Sequence, residues 1–153
     1  MRVFNVIIPD EEPLTNYDIW RYVRKIRIPY FKRVCMLNEL PKAAKFRECS
    51  IVNLNKTGEK GSHWVAYWKK GKKRIYFDSF GQVTPIEIQK YLKTPEEFKN
   101  GKNVIQRNTD IVQSISSSIC GHLCIYILKA LSERWAYGEI LAKLRERKLI
   151  FTN

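Results

Sequence analysis

Ser116-Ser117-Ser118-Ile119-Cys120-Gly121-His122-Leu123-Cys124-Ile125-Tyr126-Ile127-Leu128-Lys129-Ala130-Leu131 is the stretch that decides how this 153-residue chain folds. Leu123, Cys124, Ile127, Leu128 and Leu131 recur at intervals of three and four, which predicts a helix from about Cys120 to Arg134. Ile119, Ile125 and Tyr126 widen the apolar stripe nearly all the way round, and such a helix belongs in the centre of a fold. The serines that precede it offer N-caps.

Upstream, the pattern changes to strands. Trp64, Val65, Ala66, Tyr67 and Trp68 fill a run from His63 to Trp68, flanked by Gly61 and Gly71, and Arg74 to Phe80 follows. Lys69-Lys70-Gly71-Lys72-Lys73 between them reads as a hairpin turn with a charged tip. Cys49 to Leu54, with Ile51 and Val52, is a third strand, and Asn103 to Gln106 a further short one. Near the start, Val3 to Ile8 reads as a strand broken by Pro9 and Pro13. Thr15 would cap a helix carrying Ile19, Trp20, Val23 and Ile26, which ends near Pro29. The next segment is basic, with Lys32, Arg33, Lys42, Lys45 and Arg47. Pro85 opens a helix bearing Ile86, Ile88 and Leu92, and an amphipathic helix from Tyr137 to Leu149 closes the chain. The expected fold class is α+β: a mixed, mostly antiparallel sheet packed on a buried central helix, in one domain over residues 1–153.

Hydrophobic residues make up 44% of the chain and aromatics 12%, which excludes a disordered polyampholyte. No stretch approaches the roughly 18 apolar residues that span a bilayer, and Val3 to Ile8 is too short for a secretory signal. An intracellular, soluble protein with no membrane partner is expected. Lys and Arg number 28 against 15 Asp and Glu, a net charge of +13, and nucleic acid is the first candidate for an acidic partner. A merely solvated basic surface is the alternative. Cys35, Cys49, Cys120 and Cys124 do not form the spacing of a disulfide framework, and Cys120-Gly121-His122-Leu123-Cys124 has no second ligand pair for zinc, so no metal is expected.

Four residue types remain that chemistry could use together. A thiol attacks as the thiolate, which a helix N-terminus and a neighbouring imidazolium favour. Cys120 opens the predicted helix, and Gly121 beside it would let a substrate backbone approach. The chain has two histidines. His122 is two residues further along the same helix, and side chains at that spacing do not face each other. His63, at the start of a strand, is therefore the candidate base. Asp78, in the strand joined to it by the hairpin, would orient the imidazole, as a carboxylate does in a triad. Gln113 could donate to the oxyanion of an acyl-transfer intermediate, alongside the Cys120 backbone N–H. Each alone has a plain structural explanation: a strand histidine, a buried thiol, a turn carboxylate, an exposed amide. The order His, Asp, Gln, Cys gives them joint force.

Gly61-Ser62-His63-Trp64-Val65-Ala66-Tyr67, Phe77-Asp78-Ser79-Phe80-Gly81 and Gln113 to Cys124 together resemble the adenovirus protease (adenain) family, which shares its fold and residue order with the SUMO-specific, ubiquitin-like proteases. Six residues separate Gln113 from Cys120, a second cysteine follows four after the first, and Ile119 stands where the SUMO proteases usually have Asp, all of which favour the adenovirus branch. Leu14-Thr15-Asn16-Tyr17-Asp18-Ile19 and Cys49-Ser50-Ile51-Val52-Asn53 further resemble proteases of Polinton/Maverick elements and adintoviruses. The resemblance implies a papain-like, adenain-like cysteine protease fold and cleavage of capsid or other viral precursor proteins during virion maturation, often after glycine. It implies location in a host nucleus or virion, and no cofactor for the chemistry. Trp64 would then wall a narrow substrate channel; a core tryptophan is the alternative. It also implies activation by DNA and by a short viral peptide, although the segment between Asp78 and Gln113 has no cysteine for a disulfide to that peptide. A monomer is expected. The rivals are a deconjugating protease for a ubiquitin-like modifier, an acetyltransferase on the same fold, and a basic DNA-binding module with a vestigial site.

Overall fold

A computed structural model describes residues 1–55, 63–114 and 116–152, with side chains as far as residue 146. Gly61 and Ser62 of the histidine motif lie outside the described residues. Five strands form one sheet in the order β3 (Phe31–Met36), β4 (Arg47–Asn53), β5 (Trp64–Lys70), β6 (Lys73–Phe77) and β7 (Gln106–Arg107). The β4–β5 and β5–β6 pairs are antiparallel, while β3 on β4 and β7 on β6 are parallel. The sheet is thus mixed, antiparallel at its centre and parallel at both edges.

β5 is buried on both faces, as its unbroken apolar run requires. On one face Cys49, Ile51, Ala66, Ile75 and Phe77 pack in a cluster with Leu123, Cys124, Ile127 and Leu128 of α4 (Cys120–Ser132). α1 (Asn16–Ile26) and α5 (Tyr137–Thr152) add Ile19, Val23, Ile140 and Leu144 to the same core. On the other face α2 (Ile86–Leu92) covers Val52, Val65, Tyr67 and Tyr76 with Ile88, Tyr91 and Leu92. α4 is therefore central, as its all-round apolar sequence predicts.

Thr15 caps α1 as expected, in a reciprocal capping box with Asp18. Four expectations need correction. Val3 to Ile8 is two short strands, β1 (Arg2–Val3) and β2 (Val6–Ile7), because the chain reverses at Phe4, whose φ is 55°. The basic segment contains β3, an edge strand whose Arg33 turns inward onto Glu48. A short α3 (Pro95–Lys99), capped by Thr94 and Glu97, was not foreseen. The serines do not cap α4: its N-cap position is Ile119, and no side chain caps its first turn.

Candidate active site

The active-site geometry starts from the β5–β6 hairpin. Its register pairs Ala66 with Phe77 and Tyr67 with Tyr76. Carried three residues outward, that register sets His63 level with Phe80 and places Asp78 on the diagonal. His63 Nε2 meets Asp78 Oδ1 at 2.7 Å, and Phe80 stacks on the imidazole with ring centroids 4.8 Å apart. Asp78 Oδ1 also accepts the Phe80 N–H at 2.8 Å, and Oδ2 has no hydrogen-bond partner among the described residues. The turn closes through Gly81, whose N–H donates to the Asp78 carbonyl at 2.8 Å with φ +65°. A Cβ at Gly81 would lie 2.6 Å from the Thr109 carbonyl oxygen, so only glycine fits there.

α4 delivers the sulfur to the same place. β6 pairs with β5 only as far as Ala66, which leaves the Trp64 N–H free to donate to Cys120 Sγ at 3.5 Å. Trp64 is thereby fixed over the sulfur, and its indole N–H donates to the Leu14 carbonyl at 2.9 Å. Burial pulls the His63 pKa down. The hydrogen bond to Asp78, a hydrogen bond to Cys120 and the charge of both outweigh it and raise the pKa to about 9. At neutral pH the ring is then an imidazolium beside the sulfur. Nε2 is occupied by Asp78, so Nδ1 is the nitrogen left for the sulfur.

Gln113 is buried between the two halves of the site. Its Oε1 accepts from the Ser79 hydroxyl, and its Nε2 donates to the Ser117 carbonyl at 2.9 Å. Ser79 adjoins Asp78 and Ser117 lies three residues before Cys120, so the amide ties the Asp78 turn to the loop that leads into α4. The serine run has this holding role: the Ser117 hydroxyl accepts the Ile119 N–H at 3.3 Å. An uncapped first turn leaves backbone N–H groups and the positive end of the α4 dipole at the sulfur. A serine cap would have consumed them.

The structure brings His63, Asp78, Trp64 and Cys120 together and places Gln113 beside them. At Gly121 a Cβ would come within 3.3 Å of both Leu14 and Trp64, so its bare backbone makes room for these two side chains. Beyond them lies a cavity of about 470 Å³, lined by Leu14, Cys35, Met36, Asn53 and Trp64 among others. His122 is fully buried and bonded to the Pro9 carbonyl at 2.7 Å, away from the chemistry. Among the described residues no cluster of His, Cys, Asp or Glu could hold a metal ion. Sequence reasoning missed Ser79, Phe80, Asn108 and Ser117. Only the Phe77–Gly81 motif held a signal for the first two.

No family model matches the chain, and no curated protein matches it by sequence. Solved structures do. The ASFV pS273R protease superposes with a TM-score of 0.55 at 15% identity over 93% of this chain and 68% of that one. Its selenomethionine form gives 0.55 at 14% identity with the same coverage. Likeness at this identity shows the fold: the chain shares the α+β fold of that protease.

Proposed function

We propose that the chain is a cysteine endopeptidase in which Cys120 is the nucleophile, His63 the base, Asp78 its orienting carboxylate and Gln113, through the Nε2 hydrogen not bonded to the Ser117 carbonyl, a donor to the oxyanion. The observation that carries this is the convergence of the Asp78 carboxylate, the His63 ring and the Cys120 thiol from β6, the start of β5 and α4. With its proton held on His63, Cys120 Sγ attacks the scissile carbonyl as the thiolate, and negative charge grows on the carbonyl oxygen near the α4 N-terminus. His63 then gives a proton to the leaving amine, and water hydrolyses the thioester with His63 as base. These steps use only side chains, the backbone and water, so the chemistry requires no cofactor. The substrates would be proteins. Motif spacing supports the adenovirus branch and hence viral precursors, and the viral origin of the structural neighbours fits it. Digestion of a proteome-derived peptide library, read by mass spectrometry for new amino termini, tests this reading: the wild-type chain yields products and Cys120→Ala none. Products of equal yield from both would refute it.

The basic charge supports DNA as a second partner. Arg47, Lys70 and Lys73 stand in one row across β4, β5 and β6, with Lys72 at the hairpin tip. These four carry no ion pair among the described residues, whereas Arg33, Arg74 and Arg145 are each bonded to a carboxylate. The row is at the end of β5 opposite His63, so DNA would dock away from the peptide. Four phosphate contacts imply a fall in affinity of roughly 100-fold between 50 and 200 mM salt. Binding of a 20-base-pair duplex across that range measures it, and affinity indifferent to salt would exclude this role for the row.

A further inference from the structure

The hold on Asp78 comes from a side chain outside the triad. β7 pairs with β6 only as far as Tyr76 and Arg107. At the next rung the Asn108 side chain replaces a strand. Its Oδ1 accepts the Asp78 N–H at 3.1 Å, and its Nδ2 donates to the Asp78 carbonyl at 2.6 Å. Asn108 is itself buried, 2% exposed, and its Nδ2 also donates to the Asp110 carbonyl at 3.2 Å. The Tyr137 hydroxyl from α5 fixes it, in contact with Asn108 Oδ1 at 3.1 Å and with the Tyr76 carbonyl at 2.8 Å.

We propose that Asn108, braced by Tyr137, is a positioning residue that sets the Asp78 carboxylate against His63. The inference rests on the Asp78–His63 pairing of the proposed function. Asp78 is the first residue beyond β6 and the first that the sheet no longer holds, yet it must present one oxygen to the imidazole at 2.7 Å. An amide that bonds both backbone groups of that residue removes its freedom to tilt. Two ionisable groups act on His63, Asp78 and Cys120. Around Asp78 lie Tyr76, Cys124 and Tyr137, each kept neutral by burial, and Asp110 beside Asn108 is paired with Arg145. Loss of the clamp therefore reaches the imidazole through Asp78.

The chain has only two histidines, so NMR titration of the ring signals in the intact protein reads His63 against an internal reference. The His63 midpoint is expected to fall by about one pH unit in Asn108→Ala, a tenfold change in proton affinity. It should fall further in Asp78→Asn, while His122 keeps its midpoint in both. Tyr137→Phe should move His63 the same way by less, and it decides the matter if Asn108→Ala does not fold. An Asn108 that served stability alone would lower Tm and leave the His63 midpoint in place. An unmoved midpoint in the folded clamp variants, with Asp78→Asn shifted, overturns the proposal and leaves the triad reading intact. An unmoved midpoint in Asp78→Asn removes the pairing itself, and the clamp with it.

Discussion

Cys120→Ala is expected to remove all peptidase activity while the protein stays folded. Cys120 Sγ is a small buried group on the apolar core, so its loss leaves α4 packed by Leu123, Ile127 and Leu128. Its removal deletes the atom proposed to form the acyl-enzyme. His63→Ala should fall almost as far, since no other imidazole reaches the sulfur: His122 is turned to Pro9. A decrease of several orders of magnitude in kcat for each is the scale of losing a member of a catalytic unit. The double variant should be no worse than either single one, because the residues act together. Turnover of a cleaved library peptide, with circular dichroism to show the fold intact, checks both. The pH profile carries a sign. The raised His63 pKa keeps the imidazolium through neutral pH, so activity that needs it is expected to decline as pH rises through about 9.

The second large effect concerns the fold. Glu48→Ala is expected to cost about 3 to 5 kcal/mol, the scale of breaking one side of a buried charge pair. The Glu48 carboxylate is buried against Arg33 at 3.0 Å, the Tyr67 hydroxyl at 2.6 Å, the Tyr91 hydroxyl at 2.8 Å and the Lys45 N–H at 2.6 Å. Alanine leaves four donors facing a hole, one of them a guanidinium. Against a net domain stability of about 5 to 15 kcal/mol, that is a large fraction. Burial pushes the Glu48 pKa up, but the bonds from Tyr67, Lys45 and Tyr91 and the charge of Arg33 prevail and hold it below its ordinary 4.5. A depressed carboxylate stabilises the fold above its unfolded pKa, and this contribution is lost as pH falls through the folded value. Urea unfolding at pH 7 and at pH 3 measures both effects. A penalty under 1 kcal/mol at pH 7 would show that the network contributes little.

These two sites differ in how far the sequence discloses them. α4 and β5 are legible because full burial demands unbroken apolar runs, and burial is what centres them. The His63–Asp78 approach follows from a hairpin whose tip, Lys69 to Lys73, is written in lysine and glycine; once the tip is placed, register does the rest. β3 is illegible for the opposite reason. Its inward Arg33 is satisfied by Glu48 and two tyrosines far along the chain, so a core position reads as surface charge. The serines mislead because capping is a local preference, and here their oxygens serve Gln113 and the Ile119 N–H. Thr94 and Glu97 form a capping box whose spacing is legible in the sequence. Asn108 has no signal at all: it bonds the Asp78 and Asp110 backbone and the hydroxyl of the distant Tyr137, and none of these marks it in the sequence.

Competition among the four cysteines for iodoacetamide tests the activated thiol most directly. Accessibility alone favours Cys35, which is half-buried, while Cys49, Cys120 and Cys124 are all buried. Burial pushes the Cys35 thiol up to about 11 and that of Cys49 up to about 12, and it raises Cys124 as well. With His63 as an imidazolium beside its sulfur, Cys120 is predicted to be alkylated well ahead of the other three at pH 7 and to lose that lead in His63→Ala. Peptide mass spectrometry of the partly labelled native protein gives the four rates. Cys35 labelled first, or four similar rates that the His63 substitution leaves unchanged, would contradict the account.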